Sequence, residues 1–164
     1  MVNNHFKQDE SRPAFTMIEL IFVIVVLGIL AAVAIPRLAA SRDDAVLVKG
    51  KSQVAAIRGG IALQKSKNML QGTTQTSGFS PDNLDAVTNY NADNQRLFNY
   101  NDGNSSNILE YPIFSQKDKD GGWVKTAANT YNFQVMNIVH TFSYTATTGI
   151  FNCTAGTYCS ELTR

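Results

Sequence analysis

Apolar residues follow three different rhythms along the chain. From Phe15 to Ile35 they are continuous: FTMIELIFVIVVLGILAAVAI carries a single charge, Glu19. About 20 such residues let a helix cross the hydrocarbon of a bilayer. Beyond Pro36 the run opens into a spaced pattern. Leu38, Ala45, Val46, Val54, Ile57, Ile61 and Leu70 stand among Arg37, Arg42, Lys49, Lys51 and Arg58, which predicts a helix with one apolar stripe. Pro36 lacks an N–H donor and predicts a kink in a continuing helix rather than its end. Gly59-Gly60 weakens the helix only near its C-terminus. The pattern thus predicts one long helix from 15 to about 70, apolar all round in its first half and amphipathic in its second.

The third rhythm is alternation. Tyr131, Phe133 and Val135 alternate in TYNFQVM; Phe142, Tyr144 and Ala146 in HTFSYTA; Phe151 and Cys153 in GIFNC. A period of two predicts half-buried strands. Short links such as Thr147-Thr148-Gly149 predict an antiparallel meander. Residues 71–107 are crowded with Gly, Ser, Thr and Asn and predict a long surface loop with short turns. The fold class that follows is α+β, a long N-terminal helix whose amphipathic half covers a small antiparallel sheet.

Composition narrows the chemistry. The 164 residues are 16% charged with a formal net charge of +1, which leaves no electrostatic footprint for nucleic acid. Cys153 and Cys159 lie six positions apart, and the histidines are His5 and His140 alone. Without CxxC spacing or a nearby His, a local disulfide is favoured over a metal site and over two free buried thiols. A disulfide in turn requires an oxidising compartment. There is no Gly-rich phosphate loop, no HExxH and no nucleophile elbow, and His140 has no Ser, Cys or Asp at motif spacing. No catalytic residue and no cofactor is therefore expected.

Two short motifs carry competing readings. In KDKDGGW, Asp118 and Asp120 are alternate oxygen ligands followed by glycine, a candidate calcium pair. The further ligands and distal Glu of an EF-hand do not follow. The competing reading is a turn in which Gly121 and Gly122 supply positive φ. In DGNSS, Asp102 to Ser106, Asn104 is a candidate glycosylation acceptor, although so short a motif arises often by chance and an unmodified Asn-Gly-Ser loop is sufficient explanation of the string. Trp123 and Phe114 read as core or subunit-contact residues.

Glu19 poses the sharpest question. A carboxylate in hydrocarbon costs several kcal/mol unless something neutralises it. The surrounding residues, Arg12, Ala14, Phe15, Thr16, Met17, Ile18, Glu19 and Pro36, resemble the N-terminal signature of type IV pilins and type II secretion pseudopilins. In that family a polar leader ends in a small residue, followed by an aromatic, Thr, Leu or Met, Ile, Glu and some twenty apolar residues. Ala14 stands where the family normally has Gly, and Asp9 and Glu10 offset Lys7 and Arg12, making this leader less basic than usual.

The resemblance implies a leader over 1–14, a transmembrane and filament-core helix over 15–35, and a pilin-like periplasmic head over 36–164. It implies cleavage between Ala14 and Phe15 by a prepilin peptidase, N-methylation of Phe15, and pairing of Glu19 with the N-terminus of a neighbouring subunit. The implied partners are other filament subunits, an inner-membrane assembly platform and the membrane itself, with a separate ATP-hydrolysing motor. Calcium at Asp118 and Asp120 would point to a secretion pseudopilin. The competing expectation is an ordinary signal peptide: Lys7 and Arg12 as n-region, Leu20 to Leu30 as h-region, and cleavage after Ala34 in Ala32-Val33-Ala34 to release a soluble periplasmic protein.

Overall fold

The structure, a computed structural model, describes residues 15–76, 78–100 and 107–164, with the side chains of 39 and 40 left out. Two units make up the chain, 1–40 and 41–164, and helix α1 (Met17–Gln71) contributes to both. α1 continues through Pro36.

The second unit is an antiparallel sheet covered by the later turns of α1. Strands β3 (Trp123–Ala127), β4 (Thr130–Val135), β5 (Ile138–Thr145) and β6 (Ile150–Ala155) form a meander in chain order. A separate two-stranded ribbon joins β1 (Arg96–Leu97) to β2 (Ile113–Phe114), and a short helix α2 (Cys159–Thr163) closes the chain. The long helix on a small antiparallel sheet is the α+β, pilin-like class expected from the sequence. β3 was not foreseen: a turn was expected just before it, but only Trp123 and the strands that follow carried a visible pattern.

Alternation along the strands decides which side chains meet. Tyr131 pairs across to Phe142, Phe133 to His140 and to Trp123, and Tyr144 to Phe151. These residues, with Val135, point inward and are buried. The rings of Trp123, Tyr131, Phe133, Phe142 and Phe151 join Phe98 in one cluster with neighbouring centroids 4.7 to 6.2 Å apart, the range in which aromatic pairs add to simple burial. Phe114, by contrast, is exposed.

Helix α1 buries one face made of Gly50, Val54, Ile57, Ile61, Gln64 and Asn68, of which Val54, Ile57 and Ile61 belong to the core around this cluster. The intervals of three and four residues keep them on one face. Three residues of the expected stripe fall elsewhere: Leu38 and Ala45 are exposed, and Leu70 is 90% exposed. The face ends in two amides because Gln64 Nε2 donates to Asn68 Oδ1 (3.2 Å) and Asn68 Nδ2 to Phe79 O (2.9 Å). Polar groups with partners can be buried, so apolar spacing alone misplaced the end of the stripe. Arg58 fastens the helix to β6 and α2, donating from Nε to Phe151 O (3.0 Å) and from Nη1 to Thr163 O (2.8 Å). Trp123 Nε1 donates to Gln53 Oε1 at 3.0 Å.

The long loop is held by an ion pair that the sequence did not announce. Asp85 and Lys125 are joined at 2.7 Å with side chains 0% and 4% exposed. Asp85 also accepts from Val87 N (3.2 Å), Phe98 N (3.1 Å) and Tyr131 OH (2.9 Å). Lys125 Nζ donates to Val87 O (3.0 Å) and lies 5.8 and 5.7 Å from the ring centres of Tyr90 and Tyr131. Further along, Tyr144 OH donates to Pro81 O (2.6 Å) and Asn129 Nδ2 to Asp82 O (2.9 Å). The outer edge of β3 is met by the same loop and by the segment after β2, through Asn91 N to Lys125 O and Gln116 N to Trp123 O, both 2.8 Å. That edge is therefore closed to further strands.

Burial, then the charge and hydrogen bond of Asp85, hold the Tyr131 phenol well above its usual range. Burial, then the charge of Asp82, pushes Tyr144 up to about 12. A raised phenol keeps its stabilising contribution below the unfolded value near 10 and loses it as pH climbs through the folded value. Stability of the second unit should accordingly fall above about pH 10, by up to ~1.4 kcal/mol per pH unit for each tyrosine. Urea midpoints from pH 8 to 11.5, followed by Trp123 fluorescence, should show this fall, and Tyr144→Phe should reduce it by about one proton.

The adjacent glycines of α1 offer an internal comparison. A Cβ on Gly59 would meet nothing within 4 Å, whereas on Gly60 it would lie 2.0 Å from Ile108 O. Gly59→Ala should therefore stabilise by roughly 0.5–1 kcal/mol through helix propensity. Gly60→Ala must displace the backbone at Ile108 and should destabilise by about 1–3 kcal/mol. Melting of both variants in detergent, read by near-ultraviolet circular dichroism, should move in opposite directions.

Candidate functional site

The described part of the first unit, from Phe15 onward, is mostly apolar and has no cover. Every described side chain from Phe15 to Leu38 is exposed, Phe15 by 85%. Among the described residues, α1 is the one helix long and apolar enough to cross a membrane. The continuous Ile, Leu, Val and Phe surface would be driven to any apolar environment at about 25 cal/mol per Å².

Glu19 sits at the start of this surface and makes local hydrogen bonds. Thr16 N and Thr16 Oγ1 each donate to Glu19 Oε2 at 3.4 Å, and Glu19 N donates to Thr16 Oγ1 at 3.3 Å. The exchange is a capping box: a Thr N-cap serves an orphan N–H of the first turn while the carboxylate three residues on reaches back. Its distances are long for hydrogen bonds, so the carboxylate is lightly held. The T-x-x-E string ahead of an apolar run is itself a sequence signal for this arrangement, legible without any reference to the cost of the charge. An acidic group in the first turn also favours the positive end of the helix dipole.

The remaining candidates are scattered. Ala14 and Asn104 lie outside the described residues, so neither the cleavage position nor the glycosylation acceptor has a described geometry. Cys153 and Cys159 form a disulfide that joins β6 to α2. Beside it Tyr158 N donates to Nε2 of the buried His140 (3.1 Å), and the two rings are 5.6 Å apart. His140 is thus committed to holding the C-terminal loop against β5.

Asp118 and Asp120 occupy a turn before β3. Asp118 adopts φ 55° and Gly121 φ 74°, while Asp120 Oδ1 accepts from Asn137 N at 2.8 Å. Among the described residues no cluster of three or more His, Cys, Asp or Glu could hold a metal ion. Gly122 was expected to supply positive φ as well, but its role is steric: a Cβ there would lie 2.4 Å from Gln116 O.

The chain is 34% identical over 68 residues to type II secretion system core protein G of Pseudomonas aeruginosa, covering 42% of this chain and 48% of that protein. It is 32% identical over 82 residues to the protein of the same name from Aeromonas hydrophila, covering 50% and 53%. With that of Klebsiella michiganensis it shares 33% identity over 66 residues, covering 40% and 46%. These matches support the pilin and pseudopilin family. The chain spans about half the length of the curated relatives it matches. No family model matches the chain, and no solved structure does.

Within that family setting the disulfide is open to direct test. A bridge closing so short a loop restricts the unfolded chain by roughly 2 kcal/mol in the chain-entropy account. Reduction should lower the stability of the second unit by about that amount and loosen the Tyr158–His140 contact. Urea unfolding with and without reductant, alongside Cys153→Ser, should show equal losses; an unchanged midpoint would remove the bridge from the account.

Proposed function

We propose that the chain is a structural subunit of a type II secretion pseudopilus or a type IV pilus, assembled through its N-terminal apolar helix. The observation that carries this reading is a helix apolar on every side, interrupted by one lightly held carboxylate at its start. The named relatives, type II secretion core proteins, favour the pseudopilus. In this reading residues 1–14 are a leader, 15–35 the membrane and filament-core helix, and 36–164 the head. Before assembly the subunit rests in the inner membrane with its N-terminus cytoplasmic and its head in the periplasm. The disulfide supports an oxidising location for the head. Such a subunit works by assembly rather than catalysis, with a separate motor and an inner-membrane platform supplying the work.

Glu19 gains its partner in this scheme from processing. Cleavage between Ala14 and Phe15 creates an α-amino group, N-methylated on Phe15, and the carboxylate of one subunit pairs with the N-terminus of its neighbour. A buried charge that loses its partner is destabilised by about 3–5 kcal/mol, so only subunits docked in register satisfy it. Pro36 lies beyond the core segment and marks the passage to the head.

Two measurements test the proposal. Mass spectrometry of the mature protein from a native membrane fraction should find N-methylated Phe15 as the first residue. A free Ile35 would instead establish an ordinary signal peptide cut after Ala34 and remove the filament reading. Glu19→Ala should leave insertion and processing intact while reducing filament yield by about a hundredfold or more, the equivalent of losing ~3 kcal/mol. Thr16→Val, which takes away the cap hydroxyl but leaves the carboxylate, should still assemble; failure of both would assign Glu19 to capping alone.

A further inference from the structure

Away from the apolar helix, the fully buried His140 fastens the C-terminal segment to the sheet. Its Nε2 accepts the backbone N–H of Tyr158 at 3.1 Å, which places the proton of the neutral imidazole on Nδ1. Nδ1 is itself enclosed and has no hydrogen-bond partner. Three neighbours pack the ring. Phe133 is its cross-strand partner, the Tyr158 ring lies 5.6 Å away, and a Cβ on Gly156 would overlap Cδ2. Residues 156–164 are otherwise held by the Cys153–Cys159 bridge, by buried Leu162 and by Arg58 Nη1 donating to Thr163 O.

Nothing around the ring prepares it for a charge. Among the described residues no carboxylate pairs with it, and β4 and β6 contain no charged residue. The turns of α1 around Gly50, which meets Phe133 and Leu162, carry half-buried Asp43, exposed Asp44 and Lys51, and Lys49, whose Nζ donates to Gly121 O. Near the start of β5, Asp120 accepts from Asn137 N. In α2 the exposed Glu161 accepts from Ser160 Oγ, and Arg164 beyond it is exposed. Tyr158 is the titratable group in ring contact.

We propose that His140 is an acid-operated latch, holding residues 156–164 against the sheet while neutral and releasing them when protonated. A proton on Nε2 converts the acceptor facing Tyr158 N–H into a second donor, so the bond is lost rather than weakened. It also places an unpaired cation in an enclosed site, where charge is strongly disfavoured. Once the segment lifts, the ring meets water and keeps its proton. The proton need reach Nε2 only in the open form, so burial in the closed form does not block the switch. One proton taken up per opening favours the open form tenfold for each unit fall in pH below the titration of the released ring. The Cys153–Cys159 bridge keeps the released segment tethered to β6.

The test follows hydrogen exchange at single amides of the full chain in detergent micelles, from about pH 7.5 to about pH 4.5. Rates are corrected for the intrinsic effect of pH. Tyr158 N–H, held by the imidazole, and Leu162 N–H, held by Tyr158 O at 3.0 Å, report the segment. Tyr144 N–H, held by Asn129 O at 2.8 Å, reports the sheet. Corrected exchange at Tyr158 and Leu162 should rise about tenfold per pH unit on the acid side while Tyr144 stays constant. Nitrogen shifts of His140 should show Nε2 without a proton at the neutral end. His140→Gln supplies an amide oxygen that takes no proton in this range and should keep the segment closed throughout. A rise that persists unchanged in His140→Gln overturns the proposal. So does a flat Tyr158 profile, a rise shared equally by Tyr144, or a proton on Nε2 at the neutral end, each read from the wild-type protein alone, whatever the stability of the variant.

Discussion

The long loop of the second unit is fastened to its first two meander strands through one carboxylate. Asp85 is enclosed and accepts from an ammonium, a phenol and two backbone amides. Each donor belongs to a different part of the second unit: Lys125 to β3, Tyr131 to β4, Val87 to the loop beside it and Phe98 to the end of β1. A buried ion pair is poor evidence of net stabilisation, because desolvation offsets the attraction. What this pair supplies is position. An apolar residue at 85 could fill the space but would leave three donors beside the ammonium without an acceptor. Phe98 shows the consequence. It adopts φ 60°, uncommon for an aromatic residue, and is held there by the bond of its N–H to Asp85 and by Leu109 N donating to its carbonyl at 2.9 Å. Its ring is thereby carried into the aromatic cluster.

How far this could be read beforehand depends on the interaction concerned. Apolar periodicity is a local property, so α1 and the strands β4, β5 and β6 were legible from single windows of sequence. Position 70 misled because amphipathic spacing counts only apolar side chains; Gln64 and Asn68, which complete the buried face, are polar residues made buriable by each other and by Phe79 O. Strand β3 was obscured for a related reason. Its inward positions are Trp123 and Lys125, and a lysine reads as solvent-facing until its counter-ion 40 residues earlier is known. A loop without periodicity contains no signal for which of its carboxylates turns inward. Asp82, Asp85 and Asp93 look alike in sequence, and only tertiary placement separates them.

The candidate site shows the opposite balance. Its apolar character, its glutamate and its resemblance to a known family are all local, and they were visible at once. The capping role of Glu19 was equally visible in T-x-x-E. The two roles fit the same side chain because they differ in strength. Contacts of 3.3 to 3.4 Å between Thr16 and Glu19 give the first turn an acceptor without committing the carboxylate to it.

That weakness has a consequence under the proposed assembly. A tightly capped Glu19 would have to break strong local bonds before meeting a neighbour's ammonium, and the exchange would return little free energy. A glutamate with no local acceptor role would face hydrocarbon with nothing to offset its charge, and insertion into the membrane would suffer. The lightly held cap lies between these limits. It offsets part of the charge while the subunit is alone, and with its long distances it yields to a shorter bond with the full positive charge of a processed neighbour's N-terminus when that neighbour docks. Threonine at 16 and glutamate at 19 can thus be understood as one device, in which the hydroxyl sets how readily the carboxylate changes partner.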